Sequence, residues 1–259
     1  FGDKDALKTM MESCDFSGDR VAAVVIEPIQ GEGGINVAPP GYLAAARAPP
    51  PEEAAALCAR ASALVGLARR ASANGYVALA LSLRGWLGSE GENDQGLRQP
   101  LDVLAAIDWL AKRPMVDAHR IGLVGASMGG QVALLTAAHK PPIRAVASYF
   151  APTDLARWRD ANPFIRDYLD DLCGPEGLPV RSPSLRVAQI DVPVLLIHGD
   201  KDENVPVDQT TAMAEALKAH GKDVETVILP GATHYFSEQE YAAALRKLFD
   251  FLRRHLSRS

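Results

Sequence analysis

The chain has 259 residues, a formal net charge of −5, 23% charged residues and 47% hydrophobic ones. This is the balance of a soluble globular protein, with room for one large α/β domain or a domain and an appendage. The acidic net charge and the lack of a long basic run argue against a nucleic-acid partner, and no apolar stretch is long enough to span a bilayer. Cys14, Cys58 and Cys173 are odd in number and widely spaced, so neither a disulfide framework nor a metal site is expected. No secretory signal is visible in the sequence, which begins at Phe1 rather than Met, and the cytoplasm is the expected location.

Taken in order, Asp5 to Cys14 has helical spacing, and Val21 to Ile26 reads as a buried strand. A glycine-rich loop follows from Glu27 to Gly34, and Ile35 to Ala45 passes through Pro39-Pro40-Gly41 into a short Ala-rich helix. The pieces E-P-I-Q-G-E-G-G and P-P-G-Y-L within Val21 to Arg47 closely resemble a segment of the class III pyridoxal-phosphate aminotransferases. The resemblance stops at about residue 47. That family's motif for holding the cofactor's pyridine nitrogen and its Schiff-base lysine have no counterpart here, so neither aminotransferase activity nor any cofactor is expected.

Ala48-Pro49-Pro50-Pro51 marks a seam in composition. Residues 1–47 are therefore read as one segment and residues 48–259 as the catalytic domain. Glu52 to Ala71 has the spacing of an amphipathic helix ended by Asn74-Gly75, and Tyr76 to Leu83 is a strongly apolar strand. Leu101 to Lys112 is helical by spacing, Ile121 to Val124 is a short buried strand, and Gln131 to His139 is a helix. Arg144 to Phe150 is again a strand. Pro152 to Ile190 is the least regular part, and a small cap is placed at about 153–190. Strands at Val192 to Ile197 and Val224 to Leu229 alternate with helices at Thr210 to His220 and Glu238 to His255. This alternation predicts an α/β fold with a mostly parallel sheet and helices on both faces.

The chemistry sits at three turns. Gly125-Ala126-Ser127-Met128-Gly129 matches the G-x-S-x-G turn that lifts a serine hydroxyl above the end of a sheet, with glycines where side chains would collide. A serine needs an imidazole to take its proton, and the imidazole needs a carboxylate to fix its tautomer. Asp202 and His234 follow in the order Ser, Asp, His, each in a loop after a strand, where open α/β sheets bind their ligands. Asp200 and Glu203 lie close to Asp202 and read as solvated turn residues. His198 reads as a packing residue at a strand end, and His119, His139, His220 and His255 as surface residues. Trp86, Tyr235 and Phe236 are candidates to line a substrate pocket.

From about Leu64 onward, R-I-G-L-V-G-A-S-M-G-G, V-P-V-L-L-I-H-G-D-K-D-E-N-V-P and L-P-G-A-T-H-Y-F resemble the α/β-hydrolases of the dienelactone hydrolase and prolyl oligopeptidase group. The resemblance implies an α/β-hydrolase fold, with Asp202 and His234 at the family's acid and base positions. It also implies an oxyanion hole of two N–H donors. Met128 gives one, but the family's usual His-Gly loop before the strand at Tyr76 is missing. Two readings compete: either Val21 to Ile26 is a surrogate strand whose loop offers Ile29 or Gln30, or the first 47 residues are a foreign appendage. The surrogate strand is preferred. The resulting expectation is a cofactor-free serine carboxylesterase acting on small to moderate esters, as monomer or homodimer. A small peptidase of the prolyl oligopeptidase type and a catalytically impaired binding module are the alternatives.

Overall fold

The computed structural model describes residues 21–27, 66–86 and 89–257, with the backbone alone for 21–27. Six strands are described: β1 (Val21–Glu27), β2 (Tyr76–Ser82), β3 (Ile121–Ala126), β4 (Ala145–Tyr149), β5 (Val194–Gly199) and β6 (Val224–Leu229). Every neighbouring pair is parallel, in the order β2-β1-β3-β4-β5-β6. Helices α1 (Gln99–Ala111), α2 (Met128–Ala138), α3 (Leu155–Ala161), α4 (Pro163–Cys173), α5 (Asp208–Ala219) and α6 (Glu238–Leu256) connect or close them, and residues 66–73 are also helical.

The apolar runs of the sequence follow from a sheet covered on both sides. Alternate residues of a strand point to opposite faces, so a strand buried on both faces has no polar side to show. On one face Ile121, Leu123, Val146, Val194 and Leu196 pack with Val103, Ile107, Leu110, Val132, Leu134, Met213 and Leu217 from α1, α2 and α5. On the other face Val124, Ala147, Tyr149, Leu195 and Ile197 meet Leu245, Leu248, Phe249, Phe251 and Leu252 of α6, with Leu67 and Ala71 alongside. This is the α/β-hydrolase arrangement expected from the sequence.

Strand β1 occupies the position between β2 and β3. Its seven residues pair with β2 from Val21 opposite Tyr76 to Glu27 opposite Ser82, and Ala22 to Ile26 pair with β3 up to Gly125. Strand β1, the described part of the segment that resembles an aminotransferase, thus lies inside the sheet. The expected helices at 5–14 and 35–45, the seam at 48–51 and most of the helix begun at Glu52 lie outside the described residues.

Element ends move where caps decide them. Helix α1 begins at Gln99, two residues earlier than expected, with Pro100 in its first turn, where a missing N–H costs nothing. Helix α6 opens on a capping box: Ser237 Oγ accepts from Glu240 N–H, and Glu240 Oε2 accepts from Ser237 N–H. The stretch read as irregular holds two helices, capped by Asp154 and Asn162, and three short 3-10 turns. These form a small core of their own in which Leu155, Trp158, Leu169 and Leu178 enclose Val205. Trp158 Nε1 also donates to Asn204 O at 2.8 Å, tying this segment to the loop that carries Asp202.

Candidate active site

Parallel strands end together, so the loops after β3, β5 and β6 emerge at one edge of the sheet. The nucleophile turn is built from its crowding. A Cβ on Gly125 would lie 2.2 Å from Gly129 O, and one on Gly130 would lie 2.5 Å from Ser148 Oγ. Only glycine lets the strand turn that sharply into α2. Ser127 sits at φ 53° and ψ −124°, a conformation that side chains rarely adopt. Two backbone bonds hold it there: its N–H donates to Tyr149 O at 2.8 Å, and its C=O accepts from Gln131 N–H at 3.1 Å. Helix α2 starts at Met128 and is buried from Met128 to Ala137. Its first N–H groups have no intrahelical acceptor and carry the positive end of the helix dipole in a poorly hydrated setting.

The acid lies in the turn after β5. Gly199 makes that turn possible, because a Cβ there would lie 2.2 Å from Ala232 O of the histidine loop. Lys201 N–H donates to the same Ala232 O at 2.9 Å, stitching the two loops together. The Asp202 side chain is fully buried. Its Oδ1 accepts from Asn204 N–H and Val205 N–H, both at 2.9 Å. Its Oδ2 contacts His234 Nδ1 at 2.6 Å and His198 Nε2 at 3.1 Å. Burial pushes the carboxyl pKa up, but the bonds from His198, His234 and the Val205 N–H outweigh it and hold the group at about 2. Asp202 is therefore ionised near neutral pH.

His234 is buried, and its ring lies 4.6 Å from that of Phe150 and 5.5 Å from that of Tyr235. An ionised Asp202 only accepts, so Nδ1 carries the proton and Nε2 has a free lone pair. That Nε2 is buried with no hydrogen-bond partner among the described residues. Such a group is costly to leave unpaired, and it is the group a general base presents to a substrate or nucleophile. Phe150 links this ring to the serine turn, because it follows Tyr149, whose carbonyl holds Ser127 N–H.

The other sequence candidates divide. Asp200 and Glu203 are exposed, and Asp200 Oδ1 accepts from Gly231 N–H at 2.6 Å, a turn role as expected. Tyr235 is 62% exposed beside His234, and Phe236 packs on Phe150 at 5.2 Å between ring centres. Trp86 packs against the core on the α1 side of the sheet, with its Nε1 buried and unpartnered among the described residues. Ile29 and Gln30 lie outside the described residues. His119, His139 and His220 are exposed and His255 is half-buried.

The sequence reading missed His198. It is wholly buried as expected of a packing residue, yet both ring nitrogens are engaged, Nδ1 with Thr210 Oγ1 at 2.7 Å and Nε2 with Val205 O at 2.9 Å as well as Asp202. The signal available was its place four residues before the acid. Among the described residues no cluster of His, Cys, Asp or Glu is arranged to hold a metal ion, and no helix is long and apolar enough to cross a membrane.

Comparison with known proteins agrees with this architecture. The model of the Prolyl oligopeptidase family matches residues 69–259, and that of Aminotransferase class-III matches residues 3–59. The "Uncharacterized peptidase YtmA" of Bacillus subtilis is 31% identical over 189 residues, covering 70% of this chain and 74% of that protein. The "Acylamino-acid-releasing enzyme" of Mus musculus is 29% identical over 185 residues, covering 64% of this chain. The chain spans only 25% of that enzyme's length. Among solved structures, a puromycin-hydrolyzing peptidase of Mycobacterium tuberculosis matches 93% of this chain and 35% of its own, with a TM-score of 0.72 at 22% identity. An acylaminoacyl peptidase of Pyrococcus horikoshii matches 93% and 38%, with a TM-score of 0.68 at 20% identity.

Proposed function

The chain belongs to the prolyl oligopeptidase family, and from that premise we propose that it is a serine peptidase cleaving short peptides or acyl-amino acid amides. This replaces the carboxylesterase that the motifs alone put first, because the relatives that match are named as peptidases or acylamino-acid-releasing enzymes. The observation that carries the serine-hydrolase chemistry is the buried Asp202–His234 pair, which leaves His234 Nε2 as an unpaired acceptor at the sheet edge that bears Ser127, and the names of the relatives favour the amide substrate.

In the proposed reaction Ser127 attacks the scissile carbonyl while His234 Nε2 takes its proton. Asp202 holds Nδ1–H and stabilises the imidazolium. His234 then protonates the leaving amine, and the acyl-enzyme is hydrolysed by a water activated in the same way. An amine is a poor leaving group without that proton, which is why an amide substrate demands more of the histidine than an ester does. Met128 N–H is assigned as one oxyanion donor. The second is assigned to Ile29 or Gln30, since β1 ends at Glu27 beside the strand that leads to Ser127. Trp86, Tyr235 and Phe236 are assigned to the walls of the substrate site.

The test is kinetic. Matched p-nitroanilide and p-nitrophenyl ester substrates carrying the same acyl-amino acid are compared on the wild type and on Ser127→Ala. Turnover of both, lost in the variant, supports the peptidase. Ester turnover with no amide turnover would return the assignment to an esterase.

A further inference from the structure

Asp202 is held on both of its oxygens, and only one side of that grip belongs to its own turn. Asn204 and Val205 N–H fix Oδ1. On the other side Oδ2 already serves His234, and a carboxylate gripped through Oδ1 alone can still swing that oxygen out of line. The group that meets Oδ2 from behind is His198, the residue before the last of β5.

The partners of His198 fix what its Nε2 must carry. Val205 O, 2.9 Å from Nε2, can only accept, so Nε2 bears the hydrogen and shares it between Val205 O and Asp202 Oδ2. Nδ1 is engaged by Thr210 Oγ1, 2.7 Å away in the first turn of α5. The ring is wholly buried, and Phe150 lies edge-on to it at 6.4 Å and against His234 at 4.6 Å. Strand β5, helix α5 and the acid's own loop thus converge on one imidazole whose Nε2–H is directed at Asp202 and Val205 O.

We propose that His198 is a positioning residue for the reaction: its Nε2–H fixes Oδ2 of Asp202, and through it the direction of the His234 ring. The inference rests on the assignment of Asp202 and His234 as acid and base. His198 touches neither substrate nor nucleophile in this scheme. Its effect is on geometry, where misplacement by about an ångström costs on the order of a hundredfold. Turnover should therefore suffer while substrate binding does not.

Two substitutions separate this role from simple core filling. In His198→Gln the amide nitrogen reaches the place of Nε2 and can donate to both Asp202 and Val205 O. In His198→Asn the amide reaches only the place of Nδ1, keeps Thr210 and loses Asp202. The measurements are kcat and KM for the amide substrate, and the low-field proton resonance of His234 Nδ1–H, which needs no turnover. We expect His198→Asn to lower kcat roughly ten- to a hundredfold with KM within about threefold, and to shift or broaden the resonance. His198→Gln should restore both towards wild type. Unchanged kcat and resonance in His198→Asn overturn the inference, as do equal losses in both variants with an unmoved resonance. If His198→Asn does not fold, Thr210→Val removes the hydroxyl that pins the ring, and a resonance identical to wild type then overturns it. An enzyme inactive on every substrate, with the resonance responding as described, would fault the peptidase assignment and leave His198's hold on Asp202 standing.

Discussion

Asp202→Asn is the substitution whose consequence the structure specifies most closely. Asparagine is almost isosteric, so the question is which way its amide points. Oδ1 of Asp202 receives two backbone N–H groups, from Asn204 and Val205. Turning the NH₂ toward them would leave a buried donor on Val205 and a half-buried one on Asn204 unsatisfied, the buried one at about 1–3 kcal/mol. With the carbonyl kept there, the NH₂ replaces Oδ2 and faces His234 Nδ1 at 2.6 Å and His198 Nε2 at 3.1 Å. His198 loses less, because Val205 O still accepts from it at 2.9 Å. The second orientation is therefore favoured. It makes His234 Nδ1 an acceptor, moves the proton to Nε2, and presents a donor where a base is needed. The Ser-His-Asp template puts this error at about 10⁴-fold in kcat, or about 5.5 kcal/mol of transition-state stabilisation. The assay is amide hydrolysis over a range of pH, with circular dichroism to confirm the fold. A variant that keeps activity within tenfold of wild type would refute the assigned tautomer and with it the role of Asp202.

Further outcomes follow from the same contacts. The Asp202 carboxyl is lowered from 3.8 to about 2, so its contribution to stability is fully present above about pH 4 and is lost as pH falls through about 2. The shift corresponds to roughly 2 kcal/mol. Asp191, whose hydrogen bonds from Lys140 and Lys222 hold it at about 2, titrates in the same window, so denaturant melts of wild type and Asp202→Asn must be compared. A wild-type acid slope equal to that of the variant would contradict the linkage. Gly125→Ala forces a Cβ to within 2.2 Å of backbone that has no side-chain freedom to yield, and loss of soluble folded protein, or of all activity, is expected on expression. A stable, active Gly125→Ala would show that the turn is looser than described. Deleting residues 1–47 removes β1 from between β2 and β3, and exposes the partner edges of both strands. Aggregation or a collapsed melting transition is expected, and full retained stability and activity would show that the strand is dispensable.

Much of this was legible because the sequence signals and the structural constraints have the same cause. The runs at Ile121 to Val124 and Val194 to Ile197 are apolar throughout because helices cover both faces of the sheet. Gly125 and Gly199 announce their turns because backbone passes where their side chains would stand. The order of Ser127, Asp202 and His234 needed only the rule that loops at the carboxyl ends of parallel strands share an edge. Three features were not legible, for different reasons. His198 has the same local signature whether it packs or bonds, and only the fold brings Thr210, from the helix after the acid loop, to its Nδ1. Helix α3 has only seven residues in which periodicity could appear, and α4 follows it directly through Asn162, so the two side-chain-capped helices read as one irregular stretch. The place of β1 between β2 and β3 is a pairing choice, and hydrophobic pattern alone does not encode which strands become neighbours.

The same limit hid the polar core beside α2. Gln95 Nε2 donates to Gln131 Oε1 at 2.8 Å, Gln131 Nε2 donates to Arg181 O at 2.8 Å, and Tyr168 OH donates to Gln95 Oε1 at 2.9 Å. This network joins the loop before α1, the helix behind the nucleophile and the segment holding α4. In sequence, each of these residues looks like an ordinary surface polar group, and their partners lie tens of residues away.

Everything proposed for this site depends on Ser127 being a nucleophile activated through His234. Reaction with a fluorophosphonate, followed by mass mapping of the adduct, tests it without knowledge of the natural substrate. A single adduct on Ser127 is expected, formed far more slowly in His234→Ala and in Asp202→Asn. No adduct, an adduct on another serine, or labelling of Ser127 at the same rate in all three proteins would contradict it.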